Sequence, residues 1–129
     1  MAKTIRVMIV DDSPALRTVL AALVGQTDDL EVVASLMSAQ GLVEEVERSR
    51  PDVVLLDVSM PGPDALQAAK ALSTSHPDAR VLVFSAYDDQ TTSDRAYEAG
   101  AWGFLSKHGD PTAILDAVRQ VAAGEALFG

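Results

Sequence analysis

The chain has 129 residues, enough for one domain with a hydrophobic core, and its 48% hydrophobic and 22% charged residues are typical of a globular protein. It contains no cysteine, which excludes disulfides and thiolate metal sites and favours a cytoplasmic location. The net charge of −9 argues against direct binding to nucleic acid, and the longest apolar run, residues 19–24, is too short to span a membrane.

Short apolar runs and helical periodicities alternate along the whole chain. The apolar runs predict five strands, at residues 5–10, 31–36, 53–56, 80–85 and 102–106. Caps, prolines and spacing of apolar residues predict five helices, which we expect to begin at or just after Ser13, Ser38, Asp64, Asp88 and Asp110. Gly25, Gly100 and Gly124 are the expected stops of the first, fourth and fifth helices.

This alternation favours right-handed βαβ units and a parallel sheet with helices on both faces. We therefore predict a single α/β domain over residues 1–129 with a flavodoxin-like, doubly wound fold. Its five strands would take the order 2-1-3-4-5, with five helices around them. Strand order is inferred here from general fold rules. The order matters because it brings the ends of strands 1 and 3 together at the switch point of the sheet.

Polar residues follow the predicted strands at their carboxyl ends: Asp11, Asp12, Asp57, Ser85 and Lys107. Three carboxylates without a nearby His or Cys suit a hard cation, and Mg²⁺ with water and a phosphate fits best. Asp57, at the end of a continuous apolar run, could act as a nucleophile toward phosphorus. Lys107 and Ser85 could bind phosphoryl oxygens, which is what phosphoryl transfer requires.

Each of these residues also has an ordinary structural interpretation. An Asp at a strand end is more often a turn or cap residue, a single Ser in that position is more often part of a turn, and a single Lys is usually a solvated charge. The functional interpretation depends on their joint occurrence at the ends of different strands in one small sheet.

Taken together, these residues resemble the receiver domain of bacterial two-component response regulators. The resemblance is carried by the Asp11-Asp12 pair, by Asp57 within LLDVSMPG, by Ser85, and by Lys107 within GFLSK, and it covers essentially the whole chain. The stretches IRVMIVDDSPALR and VRQVAAGEALF are similar to receivers of the NarL/FixJ type. Receivers of that type usually precede a helix-turn-helix DNA-binding domain. No such domain is present in this chain before Gly129, so we expect a single receiver domain over residues 1–129, either cut from a longer protein or standing alone.

The resemblance implies a role for each site residue. Asp57 would accept a phosphoryl group from a histidine kinase. Mg²⁺ would be bound by Asp12, Asp57 and the Ser59 backbone carbonyl, with Asp11 assisting through water. The roles implied for the remaining residues concern the activated state: Ser85 would follow the phosphoryl group, Lys107 would contact its oxygen, and Phe104 would be the aromatic switch residue.

Activation would then change the surface formed by helix 4, strand 5 and helix 5. The helix predicted over residues 88–99 is the weakest of the five, because it contains Thr91, Thr92, Ser93 and Asp94 and few large apolar residues. Switching elements come from the least stable parts of a fold, so this weakness agrees with the resemblance. The implied partners are a sensor histidine kinase and a transcriptional effector domain or output protein, and phosphorylation could produce a homodimer.

Three other functions remain open at this point. A small phosphohydrolase with an aspartate nucleophile would use the same chemistry, but such enzymes usually have a second acid two residues later, where this chain has Ser59. A flavodoxin-like FMN module would need a phosphate-binding loop after strand 1, where Asp11 and Asp12 would repel a phosphate. The third is a receiver that signals without phosphorylation. We expect a signalling domain with at most slow self-dephosphorylation, not an enzyme.

Overall fold

The computed structural model describes residues 4–59, 64–86, 90–107 and 109–128. Within these ranges strands and helices alternate five times: β1 (Ile5–Val10), α1 (Pro14–Gly25), β2 (Leu30–Leu36), α2 (Leu42–Ser49), β3 (Val53–Asp57), α3 (Ala65–Ser75), β4 (Arg80–Ser85), α4 (Gln90–Glu98), β5 (Gly103–Ser106) and α5 (Pro111–Ala122). The predicted alternation is confirmed. Asp88, the expected first residue of α4, lies outside the described residues. Among the described helices, none has the length and apolar character needed to cross a membrane.

The five strands form one parallel sheet in the order β2-β1-β3-β4-β5. This is the predicted doubly wound order, with the switch point between β1 and β3. The central strands are buried on both faces, and all five residues of β3 are buried. Continuous apolar runs suit such strands, because helices cover both sides of the sheet.

Each face of the sheet has its own hydrophobic cluster, because successive strand residues point to opposite sides. On one face, α1 and α5 pack against a cluster that includes Leu20, Leu55, Phe84, Ile114 and Val118. On the other face, α2, α3 and α4 pack against a cluster that includes Val46, Leu56, Leu72, Val83 and Ala96. The side of the sheet covered by α1 and α5 is called the α1/α5 face, and the side covered by α2, α3 and α4 is called the α2–α4 face.

Three helices begin at side-chain caps; the sequence predicts Ser13 and Asp110 as caps and Asp64 only as the start of a helix. Ser13 accepts from the amide of Leu16, Asp64 from the amides of Leu66 and Gln67, and Asp110 from the amide of Thr112. In α1 and α5 a proline follows the cap directly, where its missing N–H costs no hydrogen bond.

The prediction that Ser38 caps the second helix is wrong. The N-cap of α2 is Gly41, whose φ of 72° lies in the left-handed region, and no side chain among the described residues caps this helix. The Ser38 hydroxyl instead accepts from the amide of Gln40 at 3.2 Å. Glycine adopts this φ without strain, so the chain turns once more after Ser38 before the helix begins.

The chain after α5 folds back along the outer edge of β5. Leu127 donates its amide to the Trp102 carbonyl at 2.8 Å and accepts from the Phe104 amide at 3.2 Å. A side chain at Gly103 would collide with this segment, because a Cβ there would lie 2.9 Å from Leu127 Cβ. Leu127 packs on the α1/α5 face and Phe128 on the α2–α4 face. The segment therefore shields the beginning of an otherwise open sheet edge.

Candidate functional site

Asp11 and Asp57 lie side by side at the carboxyl ends of neighbouring strands. β1 pairs with β3 so that Val10 faces Leu56, and the two aspartates are the next residues along each strand. Both are buried, with exposed fractions of 0% and 1%, whereas Asp12 is exposed. One carboxylate oxygen from each of the three lies within 4.8 Å of the other two. The structure thus brings together the three acids that the sequence singles out.

Ser59 donates two hydrogen bonds to the same oxygen of the Asp57 carboxylate. Its backbone amide donates to Asp57 Oδ1 at 2.8 Å, and its hydroxyl donates to the same atom at 2.6 Å. The sequence suggests Ser59 only through its backbone carbonyl, so this side-chain role is missed. A hydroxyl two residues after a strand-end aspartate is the signal that could have revealed it, since such residues often close local turns.

Lys107 links the two buried carboxylates. Its Nζ lies 2.9 Å from Asp57 Oδ2 and 2.7 Å from Asp11 Oδ2. The lysine side chain is itself only 17% exposed. Burial on its own would lower the pKa of Lys107, but the neighbouring Asp11 and Asp57 carboxylates outweigh it, and the net pKa lies above the ordinary value of 10.5. The lysine therefore carries a positive charge at neutral pH.

Asp11 is held by the turn that follows it. Its Oδ1 accepts from the amide of Ser13 at 2.7 Å, which is the first bond of the turn into α1. Asp11 Oδ2 is buried and lies 2.7 Å from Lys107 Nζ. A cluster of three carboxylates that supplies oxygen ligands only suits a hard divalent cation. The residues present therefore fit the predicted Mg²⁺ site.

Ser85 and Phe104 occupy the two strands between Asp57 and the outer edge. Ser85 is buried at the end of β4, and its carbonyl accepts from the Lys107 amide at 2.9 Å. Phe104 is half-buried in β5, faces Val83 across the strand pair, and packs on the α2–α4 face. The structure places Ser85 between the strands that carry Asp57 and Lys107, while Phe104 lies on the opposite side of the sheet from the Asp57 side chain.

A second aromatic ring, which the sequence does not single out, lies directly at the site. Phe84 is fully buried in β4, and Lys107 Nζ lies 5.0 Å from the centre of its ring. Only the register of the folded sheet reveals this contact, because Phe84 in sequence is one of several apolar residues in a buried strand.

Comparison with known proteins identifies the family. Residues 7–119 match the family model of the response regulator receiver domain. The chain is 35% identical to the transcriptional regulatory protein DegU of Brevibacillus brevis over 96% of its own length and 52% of that protein. It is also 35% identical to the response regulator GacA of Pseudomonas viridiflava, over 94% of its own length and 56% of that protein. The chain thus spans about half the length of these curated relatives.

Solved structures show the same architecture. The signal receiver domain of the response regulator NarL from Mycobacterium tuberculosis superposes with a TM-score of 0.89 at 33% identity, covering 95% of this chain and 99% of that one. A LuxR-family two-component response regulator from Aurantimonas sp. SI85-9A1 superposes with a TM-score of 0.90 at 29% identity, covering 98% and 90%. The fold, the sequence match and the relatives agree: this chain belongs to the response regulator receiver domain family and is similar to the receivers of NarL- and LuxR-type regulators.

Proposed function

We propose that Asp57 accepts a phosphoryl group from a histidine kinase and that phosphorylation changes the surface formed by α4, β5 and α5. One observation carries this proposal: each oxygen of the buried Asp57 carboxylate is bound by a different residue. Oδ1 is held by Ser59, and Oδ2 is held by the Lys107 ammonium, which also contacts Asp11. A buried carboxylate beside an ammonium and two further acids is the arrangement that phosphoryl transfer uses.

In the proposed reaction, an oxygen of Asp57 attacks the phosphorus of a phosphohistidine in line with the leaving nitrogen. A phosphorus–oxygen bond to Asp57 forms as the phosphorus–nitrogen bond breaks, and the histidine leaves with the bonding electron pair. Burial of Asp57 at the strand end fixes the direction of attack. The product is an aspartyl phosphate, which is an established type of covalent intermediate.

Asp11, Asp12, Asp57 and the Ser59 carbonyl are the groups we assign to Mg²⁺. When bound, this ion would supply positive charge to the phosphoryl oxygens. The oxygen-only donor set of the three acids and the buried Asp11 Oδ2 support the assignment. Exposure of Asp12 leaves this side of the site open to a phosphodonor.

Lys107 and Ser85 would respond to the new phosphoryl group. The Lys107 ammonium, already 2.9 Å from Asp57, needs to shift only slightly to contact a phosphoryl oxygen. The Ser85 hydroxyl, at the buried end of the neighbouring strand, would donate to another oxygen. Movement of Ser85 would free space on the α2–α4 face for Phe104, which is half-buried, to turn inward. We propose these three residues as the link between the site and the α4–β5–α5 surface.

The output and partners follow from the relatives as proposals. DegU is a transcriptional regulatory protein and GacA a response regulator, and each is about twice as long as this chain. We therefore propose that the altered surface controls a transcriptional effector or output protein, and that phosphorylation can produce a homodimer. Size-exclusion chromatography of both states, with light scattering, tests the dimer directly.

The phosphoacceptor assignment is tested with acetyl phosphate, Mg²⁺ and intact-mass analysis. We expect the wild-type chain to gain the mass of one phosphoryl group and Asp57→Asn to gain none. Asp28→Asn is the matched control, because Asp28 is an exposed aspartate in a loop away from the sheet end. A phosphoryl adduct that persists in Asp57→Asn, or its loss in Asp28→Asn, would contradict the assignment.

A turnover assay with a phosphate ester separates a receiver from a phosphohydrolase. Ser59 has no carboxyl group, and its hydroxyl donates to Asp57 rather than serving as a second acid. We expect a single phosphorylation followed by slow self-dephosphorylation, without continuous release of phosphate from phosphate esters. Sustained turnover of an ester such as p-nitrophenyl phosphate, abolished in Asp57→Asn, would support the enzyme instead.

A further inference from the structure

Lys107 has to cross a whole strand to reach its carboxylate partners. It follows β5, whereas Asp57 ends β3, and β4 lies between these two strands. Neighbouring strands lie about 4.8 Å apart, so the two residues are separated by roughly 10 Å across the sheet. An extended lysine side chain can span much of that gap, but only by running over the residue of β4 that lies between.

Phe84 is the residue at this crossing point. The register places Asp57 opposite Phe84 and Phe84 opposite Leu105, so these three side chains share the α1/α5 face of the sheet. Lys107 follows Leu105 by two residues and is on the same side. The ring of Phe84 is fully buried, and Lys107 Nζ lies 5.0 Å from its centre. The Phe84 ring thus lies beneath the Lys107 ammonium.

We propose that Phe84 is a positioning residue for Lys107, holding its ammonium between Asp11 and Asp57 through the face of the aromatic ring. An ammonium within about 6 Å of a ring centre is attracted by the negative face of the ring, most strongly where water is excluded. Lysine has a flexible four-carbon stem, and attraction of its ammonium to the ring limits the positions that the ammonium can take.

The alternative is that Phe84 only fills the core. It belongs to the hydrophobic cluster of the α1/α5 face and has a large, fully buried side chain. Leucine at this position would also be apolar and would fill much of the volume, but it has no ring face. A positioning role is therefore separable from a packing role by changing the electronic character of the ring without changing its size.

The first test is the ring-current shift of the Lys107 ε-methylene protons in the NMR spectrum of the unphosphorylated protein. Protons over the face of a ring resonate upfield, so we expect these protons upfield of those of the exposed Lys70. The upfield shift should vanish in Phe84→Leu and remain in Phe104→Leu, whose ring packs on the opposite face. A lysine signal unchanged by Phe84→Leu would overturn the proposal.

The second test measures the consequence for phosphoryl transfer, and this part rests on the proposed function. Fluorinated phenylalanines placed at position 84 weaken the negative ring face stepwise while nearly keeping its shape. We expect the rate constant of phosphorylation by acetyl phosphate to fall with each fluorine, by about two- to fivefold for the fully fluorinated ring. A packing role would require the melting temperature to fall in step with the rate constant. We expect no such trend in the melting temperature.

Failure of the positioning role of Phe84 can be distinguished from failure of the proposed function. If the wild-type chain is not phosphorylated at all, the phosphoacceptor assignment fails, and the ring-current shift still tests the contact between Phe84 and Lys107. If phosphorylation proceeds and its rate is the same for every fluorinated ring, Phe84 is a packing residue and the positioning role is wrong.

Discussion

The helices α4 and α5 flank the same edge strand but are anchored very differently. α5 has twelve residues, of which Ile114, Leu115, Ala117, Val118 and Val121 are buried. α4 has nine residues, and its buried residue is the small Ala96. Burial of large apolar side chains is the main stabilising contribution to helix docking, so α5 is fixed to the sheet while α4 is held weakly. A change at the site can therefore displace α4 at a lower cost in free energy than α5.

The ends of the two helices reinforce this difference. Asp110 caps the start of α5, and the Arg80 guanidinium donates to the carbonyls of Val121 and Ala122 at its end. Arg80 also lies 4.6 Å from the ring centre of Trp102, so it ties α5 to the sheet. α4 is held at its outer side by Tyr97, whose ring meets Phe128 edge-on at 5.4 Å. Tyr97 itself remains 68% exposed.

The largest expected effect contrasts one side chain from each helix. Ile114→Ala in α5 should lower the free energy of unfolding by about 2–4 kcal/mol, because it leaves a cavity in a packed core. Tyr97→Ala in α4 should cost about 0.5–1 kcal/mol, because it removes mainly one aromatic contact. Urea unfolding measures both. Equal losses in the two variants would show that α4 is anchored as firmly as α5.

A smaller effect is expected from the arginine that closes α5. Arg80→Ala should lower the free energy of unfolding by about 1–2 kcal/mol, through loss of two carbonyl hydrogen bonds and the contact with Trp102. Arg119→Ala is the matched control, since Arg119 lies near the same end of α5 but makes exposed ion pairs with Asp29 and Asp116. It should cost less than Arg80→Ala, and the reverse ranking would be inconsistent with this account of α5.

The contact between the chain end and α4 predicts a local effect. Phe128→Ala should raise the hydrogen-exchange rates of α4 amides by about two- to fivefold, because Tyr97 loses its partner. The α5 amides should change little. Glu125→Ala, an exposed substitution in the same segment, is the control. Unchanged α4 exchange in Phe128→Ala would mean that other contacts hold this helix.

The smallest effect concerns the cap of α5 and depends on pH. Hydrogen bonds from the backbone amide and the side chain of Thr112 lower the pKa of Asp110 below its ordinary value of 3.8. A lowered folded-state pKa stabilises the fold above 3.8, and this contribution is lost as the pH falls through the folded-state value. Asp110→Asn keeps a capping oxygen but removes the charge. Its melting temperature should therefore lie slightly below wild type at neutral pH and converge with it in acid. A difference that stays constant with pH would exclude a charge effect.

Local patterns in the sequence were sufficient for much of the fold. Continuous apolar runs predicted all five strands to within one residue, because a strand buried on both faces tolerates few polar side chains. Ser13 and Asp110 were identified as helix caps and Asp64 as the start of a helix, because capping depends on neighbouring residues. The prediction that Ser38 caps the second helix was wrong, because a turn through Gly41 takes the place of a side-chain cap there.

For the candidate site, the sequence supplied the acids, Ser85 and Lys107, since all lie at strand ends and the strand order follows from general rules. It did not supply the two contacts that define the Asp57 environment most closely, the Ser59 hydroxyl and the Phe84 ring beneath Lys107. The first depends on how the loop turns after β3. The second depends on the register between β3, β4 and β5, which places residues more than twenty positions apart side by side.

The sequence by itself determined the alternation of elements, the α/β class and the choice of candidate reacting groups, because these depend on periodicity and on residue type. Tertiary structure alone decided that Lys107 crosses β4 to bridge Asp11 and Asp57, that α4 is poorly anchored beside a well-anchored α5, and that the chain end covers the β5 edge. Such features arise from distances between elements that are far apart in the chain. They become definite only when the sheet register and helix packing are formed.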